Sequence, residues 1–344
     1  MTGLGDHRLL GGTGVRVSPL AFGSMMLGGN GNPDHADGVR MIHRALDAGI
    51  NIVDTADIYS AGESERIVGK ALSDGRRADV ILATKFFRPM GDDPNRRGNS
   101  RRWVIRAVEE SLRRLQTDWI DLYQLHRDDP DTDIEETLGA LDDLVRAGKV
   151  RYVGTSTFPA HRIVEAQWAS ERRRLVRPVA EQAPYSLLTR AIENDVLPVC
   201  AARRIGVLVW SPLSGGWLTG GHRLGAPPPP SRRAERFPEI YDLARDENRR
   251  KLEAADALAG VADDAGLSLI HLALAFVLRH PGVTSAIIGP RTQEHLESQL
   301  GAADVVLADD VLDAIDAIVA PGVSLNPADL GRVNPDLEPA ARRR

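Results

Sequence analysis

Short apolar runs alternate with longer amphipathic stretches along most of the chain, and few folds accommodate that rhythm. The apolar runs fall at residues 20–23, 52–54, 80–84, 120–125, 150–154, 178–182, 207–210 and 285–288. Between them lie helical stretches such as 36–48, 63–72, 100–115 and 134–147. In the last of these, Ile134, Leu138, Leu141, Leu144 and Val145 recur at helical spacing, and Gly148 ends the helix. The alternation predicts βα units packed around a parallel sheet. Eight of them make an α/β fold of the (β/α)8 TIM-barrel type, which takes about 250 residues plus loop insertions. The 344 residues therefore suit one barrel domain over 1–330 with a C-terminal tail at 331–344.

Other stretches fall outside the eight units. Residues 8–10 and 15–17 flank the glycine-rich GGTG and predict an N-terminal β-hairpin. Those glycines do not make a dinucleotide loop, which runs from a strand into a helix, because no helix follows them. From Gly215 to about Asp242, after the seventh strand, the chain carries two Gly-Gly pairs and the prolines at 227–230. A stretch of that length is either disordered or a lid, and its place favours a lid. Helices are expected over 246–264 and 268–280 before the eighth strand, and an extra C-terminal helix over 309–319. The Pro-rich end from Asn326 onward is expected to lie over the barrel or fray.

Composition narrows the partners. Hydrophobic residues make up 42% of the chain, enough to fill a sizeable core. A formal net charge of -5 offers no basic stripe for nucleic acid or an anionic membrane, and the arginine clusters at 172–174 and 342–344 read as solvated surface. The start MTGLGDHRLLGG lacks the basic segment and apolar run of a signal peptide, and no window approaches the ~20 apolar residues of a membrane span. The single cysteine, Cys200, sits in an apolar helical stretch and reads as a packing residue, which fits a reducing compartment. A cytoplasmic location is expected.

A barrel of this type gathers polar residues from the C-terminal ends of its strands at one mouth. Four stand out there: Asp54 ends NIVD, Tyr59 follows in TADIYS, Lys85 ends VILATK and His126 ends DLYQLH. Singly, each has a bland reading as a helix cap, a packed ring, a solvated amine or a satisfied hydrogen bonder. Together, on three successive strand ends, they make chemical sense. A carbonyl that receives hydride develops alkoxide charge and needs a proton, and a phenol of pKa ~10 is a weak acid near neutrality unless its anion is stabilised. A nearby ammonium lowers the phenol pKa, a carboxylate fixes the ammonium, and the imidazole can donate to the carbonyl oxygen or relay a proton. No HExxH, CxxC or other metal-ligand spacing is present, so no metal is expected. The acidic run DDPDTD after His126 is explained by helix capping.

In strand order the chain carries FGSMMLGG, GINIVDTADIYSAGESERIVGKAL, ATK, DWIDLYQLH, GTST, EQAPYSLLTR, WSPLSGGWLTG and IIGPRTQEHLESQLGA. Over nearly its whole length it thereby resembles the aldo-keto reductase superfamily, closest in pattern to the bacterial branch related to potassium-channel β subunits. The resemblance implies a catalytic tetrad at Asp54, Tyr59, Lys85 and His126, with Tyr59 as proton donor and Lys85 and Asp54 lowering its pKa. It also implies NADPH, in preference to NADH, extended across the barrel mouth. Carried over by position, Gly23, Ser24 and Met25 would approach the nicotinamide ribose beside Asp54. Ser156 and Gln182 would hold the carboxamide, and Trp210 would stack on the nicotinamide. Ser211, Pro212, Leu213, Gly215 and Leu218 would track the pyrophosphate. Gly289, Arg291, Thr292, His295 and Gln299 match the stretch that holds the adenosine half, and Arg291 is expected to meet the 2′-phosphate.

Three departures from the family pattern stand out. Thr157 replaces an Asn in G-x-S-N, and Ser298-Gln299 replaces Glu-Asn. Gly221 and His222 stand where a Lys often follows the seventh-strand glycines, leaving Arg232 or Arg233 to supply charge to the pyrophosphate. The expected reaction is NADPH-dependent reduction of an aldehyde or ketone, a small carbonyl or keto-sugar, to the alcohol. The alternative is an NADP(H)-binding, redox-sensing regulatory subunit with little turnover. A small-molecule carbonyl substrate is expected, with neither nucleic acid nor membrane as partner.

Overall fold

The computed structural model describes residues 3–229 and 231–332. Two short strands, β1 (Arg8–Leu9) and β2 (Arg16–Val17), pair antiparallel as the expected hairpin. Then β3 (Leu20–Gly23), β4 (Ile52–Asp54), β5 (Ile81–Phe86), β6 (Ile120–Leu125), β7 (Val150–Ser156), β8 (Pro178–Pro184), β9 (Gly206–Trp210) and β10 (Ser285–Ile288) form a closed parallel barrel in chain order. β10 shuts the ring against β3, Ala286 opposite Leu20 and Ile288 opposite Phe22. Helices α1 (His35–Asp47), α2 (Glu63–Leu72), α3 (Arg101–Leu115), α4 (Ile134–Arg146), α5 (Ala160–Arg173) and α6 (Val196–Arg203) each follow a strand and surround the barrel. After β9 come the short α7 (Arg232–Arg236), α8 (Asp246–Asp264) and α9 (Leu269–Arg279). α10 (Gln293–Leu300) follows β10, and α11 (Asp309–Ile318) is the extra C-terminal helix. The fold is a (β/α)8 barrel.

Capping side chains set several helix starts. Asp34 accepts from the backbone of Ala36 and Asp37, Ser100 from Trp103, Asp133 from Glu135 and Thr292 from His295. Each satisfies a first-turn N–H that has no partner inside its helix. Asp133 belongs to the acidic run after β6, which serves α4 as the sequence suggests.

Two apolar layers hold the barrel. Inside it, Ala21, Ile52, Ala83, Leu122, Ala180, Leu208 and Ile287 pack together, and the hairpin adds Leu10 and Val17 to the same cluster. Gly11 permits that close approach. Its φ is +57°, and a Cβ there would lie 2.5 Å from the Arg204 carbonyl oxygen. Between strands and helices, a larger core includes Phe22, Val53, Met41, Ile67, Trp103 and Leu138. The hairpin plugs the bottom of the barrel, which leaves the C-terminal strand ends for chemistry.

Several boundaries differ from expectation. β5, β7 and β8 each run two residues further than their apolar runs, to Phe86, Ser156 and Pro184. Lys85, Thr155 and Ser156 keep their backbones in the ladder although their side chains are polar, so Lys85 lies inside a strand. The stretch after β9 is also more structured than a bare loop. Besides α7, Tyr241 stacks on Trp217 and His222 at ring separations of 5.4 and 5.5 Å and donates to the Gly215 carbonyl at 2.5 Å. Arg236 donates to Asn30 Oδ1 at 2.6 Å, so the stretch forms a strap from β9 to the loop between β3 and α1. Near the C-terminus, the turn Pro327–Leu330 is tied down by buried Lys251, whose ammonium lies 3.0 Å from Asp329. The rest of the tail, residues 333–344 with the arginines at 342–344, lies outside the described residues, as do Pro230 and the Arg232 side chain. Among the described residues, no single helix is long and apolar enough to cross a membrane.

Candidate active site

Asp54 is the last residue of β4, Lys85 lies near the end of β5, and His126 directly follows β6. Tyr59 opens a 3-10 turn, Tyr59–Gly62, in which Ser60, Ala61 and Gly62 all take positive φ. The Ser60 hydroxyl latches that turn to the neighbouring loop, donating to the Leu27 carbonyl at 2.9 Å and accepting from Asn30 N at 3.0 Å. A strained turn held in this way places the phenol at the barrel mouth.

The four side chains converge. Lys85 Nζ donates to Asp54 Oδ1 at 2.6 Å, to the Thr55 carbonyl at 2.9 Å and to Tyr59 Oη at 3.2 Å, which uses all three of its protons. The His126 ring stands edge-on to Tyr59 at 6.0 Å, and its Nδ1 has no partner among the described residues. Burial alone would pull the Lys85 ammonium down. The Asp54 carboxylate and the Tyr59 phenol outweigh it and hold the ammonium above the ordinary lysine value. Burial pushes His126 well below the ordinary histidine value, and Lys85, Arg127 and Arg88 push the same way, so the imidazole is neutral near pH 7.

The phenol corrects one expectation. Burial raises the Tyr59 pKa more than Lys85 lowers it, and Asp54 adds to the rise. Asp54 therefore does not lower the phenol pKa; its contacts orient Lys85, and Lys85 alone of the pair pulls the phenol down.

The residues expected around a cofactor divide into two groups. Trp210 ends β9 half-buried, with its indole N–H unpartnered among the described residues. Ser211, Pro212, Leu213 and Gly215 lead from it into the strap, and Met25 is exposed beyond Gly23. Gly289 is exposed with nothing within 4 Å of where a Cβ would stand, and Arg291, Thr292 and exposed His295 follow at the start of α10. Arg233 of the strap brings its Nε within 3.6 Å of a Cβ placed on Gly215. An open glycine, a capped helix start and an arginine whose Nε has no partner among the described residues fit an extended dinucleotide with anionic phosphates.

Other expected contacts turn into the fold. Both the N–H and the hydroxyl of Ser24 donate to the Asp54 carbonyl, and its own carbonyl accepts from Ser64, so Ser24 braces Asp54 from behind. Gln182 donates to Asp54 Oδ2 at 2.8 Å. Ser156 is buried 3.4 Å from the Thr157 hydroxyl, Leu218 lies in the core, and Gln299 donates back to the His295 carbonyl at 2.6 Å.

Sequence reasoning passed over three polar residues here. Gln124 on β6 contacts Asp54 Oδ2 at 3.3 Å and Gln182 at 3.3 Å. Asp57 is buried with neither carboxylate oxygen partnered among the described residues, and burial holds it well above the usual carboxylate range. Arg127 follows His126 at the mouth. The signal for Gln124 was a polar residue inside a strand whose neighbours on both sides are apolar.

The sequence profile of the Aldo/keto reductase family matches residues 19–320. The chain belongs to that family. It is 40% identical over 323 residues to the uncharacterized oxidoreductase YrpG of Bacillus subtilis, covering 91% of this chain and 95% of the relative. It is 35% identical to a probable voltage-gated potassium channel subunit beta of Oryza sativa, covering 91% and 96%. It is also 34% identical to the aldo-keto reductase AMT2 of Alternaria alternata, covering 88% and 89%. Membership makes this aldo/keto reductase an oxidoreductase of a family that generally uses NAD(P)H.

Proposed function

We propose that this aldo/keto reductase reduces the carbonyl of a small aldehyde or ketone with NADPH and that Tyr59 supplies the proton. The observation that carries this reading is the buried contact chain from Asp54 through Lys85 to Tyr59 Oη. Trp210 would hold a reduced nicotinamide, which would supply the hydride. Tyr59 then passes its phenolic proton to the developing alkoxide, a far stronger base than phenolate even with the phenol pKa raised. Lys85, 3.2 Å away and charged, stabilises the phenolate left behind. Neutral His126 donates a hydrogen bond that orients the carbonyl oxygen, and burial of the cluster excludes competing water.

Tyr59→Phe removes only the acid. It should cut kcat below about a tenth of wild type while leaving NADPH affinity nearly unchanged. Retention of more activity than that would remove Tyr59 from the role. The choice of NADPH rests on Arg291 at the open start of α10. Charge-assisted hydrogen bonds of about 1.5 to 3 kcal/mol predict that Arg291→Ala weakens NADPH binding by about tenfold or more and barely touches NADH. Equal loss for both cofactors in a fluorescence titration would count against phosphate reading by Arg291.

The relatives with channel-subunit names support a second reading, in which bound NADP(H) reports redox state to a partner with little turnover. Steady-state assays with generic aldehydes separate the two. We retain a cytoplasmic setting and a single catalytic domain over residues 1–330 as parts of this proposal.

A further inference from the structure

Many arginines of the chain pair with a carboxylate. Arg162 clasps Asp128, and Arg114 donates to Glu65 at 2.6 Å. Arg127 differs. It lies between His126 and Asp128 in sequence, and among the described residues it pairs with no carboxylate. Its Nη1 donates to the His126 carbonyl at 2.5 Å, and its Nε is buried with no partner among the described residues. Among the described residues neither Nε nor Nη2 is seen to donate to a partner, so the side of the guanidinium that takes a carboxylate through two parallel bonds is unpaired there.

The position of that edge is specific. A Cβ placed on Gly331 would lie 2.9 Å from Trp210 Cζ2 and 3.5 Å from Arg127 Nη2, so the guanidinium shares a wall of the mouth with the indole. Its charge also acts on Tyr59 and His126. The residue is held there. Buried Asn99 donates to the Arg127 carbonyl at 3.0 Å, and Asp129 in turn accepts from Asn99 N at 2.8 Å. A second cation, exposed Arg88, follows Phe87, whose φ of +143° bends the chain between β5 and α3, and it adds to the positive field at both Arg127 and His126. Burial and Arg88 push the Arg127 pKa down to about 10, which leaves it charged at neutral pH. Two cations that act on each other and on His126, one of them partly buried and paired with no carboxylate among the described residues, are unfavourable until an anion arrives.

We propose that Arg127, supported by Arg88, forms an anion subsite that selects carbonyl substrates bearing a carboxylate. This inference rests on the reductase reading and adds the substrate class. Arg127 acts on the end of the substrate remote from the reacting carbonyl and contributes binding and orientation.

The test compares 4-carboxybenzaldehyde with its neutral methyl ester, using NADPH and the full chain. The readout is the ratio of the two kcat/KM values, in which any effect of Arg127 on Tyr59 chemistry cancels. Wild type should favour the acid by about tenfold or more, the scale of paired charge-assisted bonds. Arg127→Met should lower the ratio at least tenfold, Arg127→Lys should recover part of it, and Arg88→Met should lower it less. A wild-type ratio near one, or a ratio unchanged in Arg127→Met, would overturn the subsite.

A turnover-independent arm uses calorimetric binding of 4-(hydroxymethyl)benzoate and its methyl ester to the NADP+-loaded protein. If no carbonyl is reduced but the carboxylate binds to wild type and not to Arg127→Met, the reductase reading falls and the subsite stands. If wild type does not discriminate the carboxylate from the ester, the subsite falls whatever the turnover. Should Arg127→Met misfold by circular dichroism, Arg127→Lys against wild type decides the same ratio.

Discussion

Asp54 receives hydrogen bonds from Lys85, Gln182 and Gln124, while its backbone carbonyl is held by Ser24. Such a carboxylate is over-determined, and the ammonium it fixes has one orientation to offer the phenol. Beside Gln182 on β8, Glu181 is fully buried as well. It accepts from the Thr155 hydroxyl at 2.5 Å and from Phe158 N at 3.1 Å, yet burial pushes its carboxyl up to about 8. Between the ordinary glutamate value and about 8, the native chain holds a proton that the unfolded chain has released. The stability this residue contributes is thus complete below the ordinary value and is lost as pH rises toward about 8. Glu181→Gln keeps the shape, accepts from Phe158 N, donates to Thr155 and does not titrate. In urea unfolding it should match wild type near pH 5 and exceed it near pH 8. The same difference at both values would show that Glu181 does not titrate with folding. Asp54, Lys85 and His126 were legible as strand-end residues because their types fit one reaction. Gln124 and Glu181 were not, because a polar residue flanked by apolar ones in a strand stands out without saying which side it faces or what it meets.

At the scale of elements, the strap after β9 illustrates both the reach and the failure of sequence reasoning. Its glycines, prolines and length pointed to a lid, but α7 lacks an apolar periodicity long enough to announce it, and the stacking of Tyr241 on Trp217 and His222 joins residues that no local pattern connects. Strand starts were legible from apolar onset. Strand ends at β5, β7 and β8 were not, since backbone pairing continues beneath polar side chains. The strap meets the loop between β3 and α1 through an exposed contact, Arg236 to Asn30. Losing a hydrogen bond of ~1 kcal/mol should make Arg236→Ala release NADP+ about fivefold faster. Stopped-flow displacement measures this, and an unaltered release rate would show that the strap does not gate departure through that bond.

Across the whole molecule, the single thiol reports on global integrity. Cys200 is buried in the larger core, and burial, aided by Glu181 and Asp195, pushes its pKa far above the ordinary thiol value. It should resist Ellman's reagent in the native protein and react with one equivalent once the barrel unfolds, so that labelling follows global opening. Rapid native labelling would reveal local opening around α6. The barrel's seam carries a different consequence. β3 lies near the start of the chain and β10 near residue 288, yet Leu20 pairs with Ala286. Contacts so distant along the chain demand a large loop-closure entropy before they return any enthalpy, and they slow the search for the native state. On a ribosome, the first seven barrel strands emerge with both edges of an unfinished sheet exposed, awaiting the last. Until that strand arrives, the nascent chain depends on whatever shields open edges from one another.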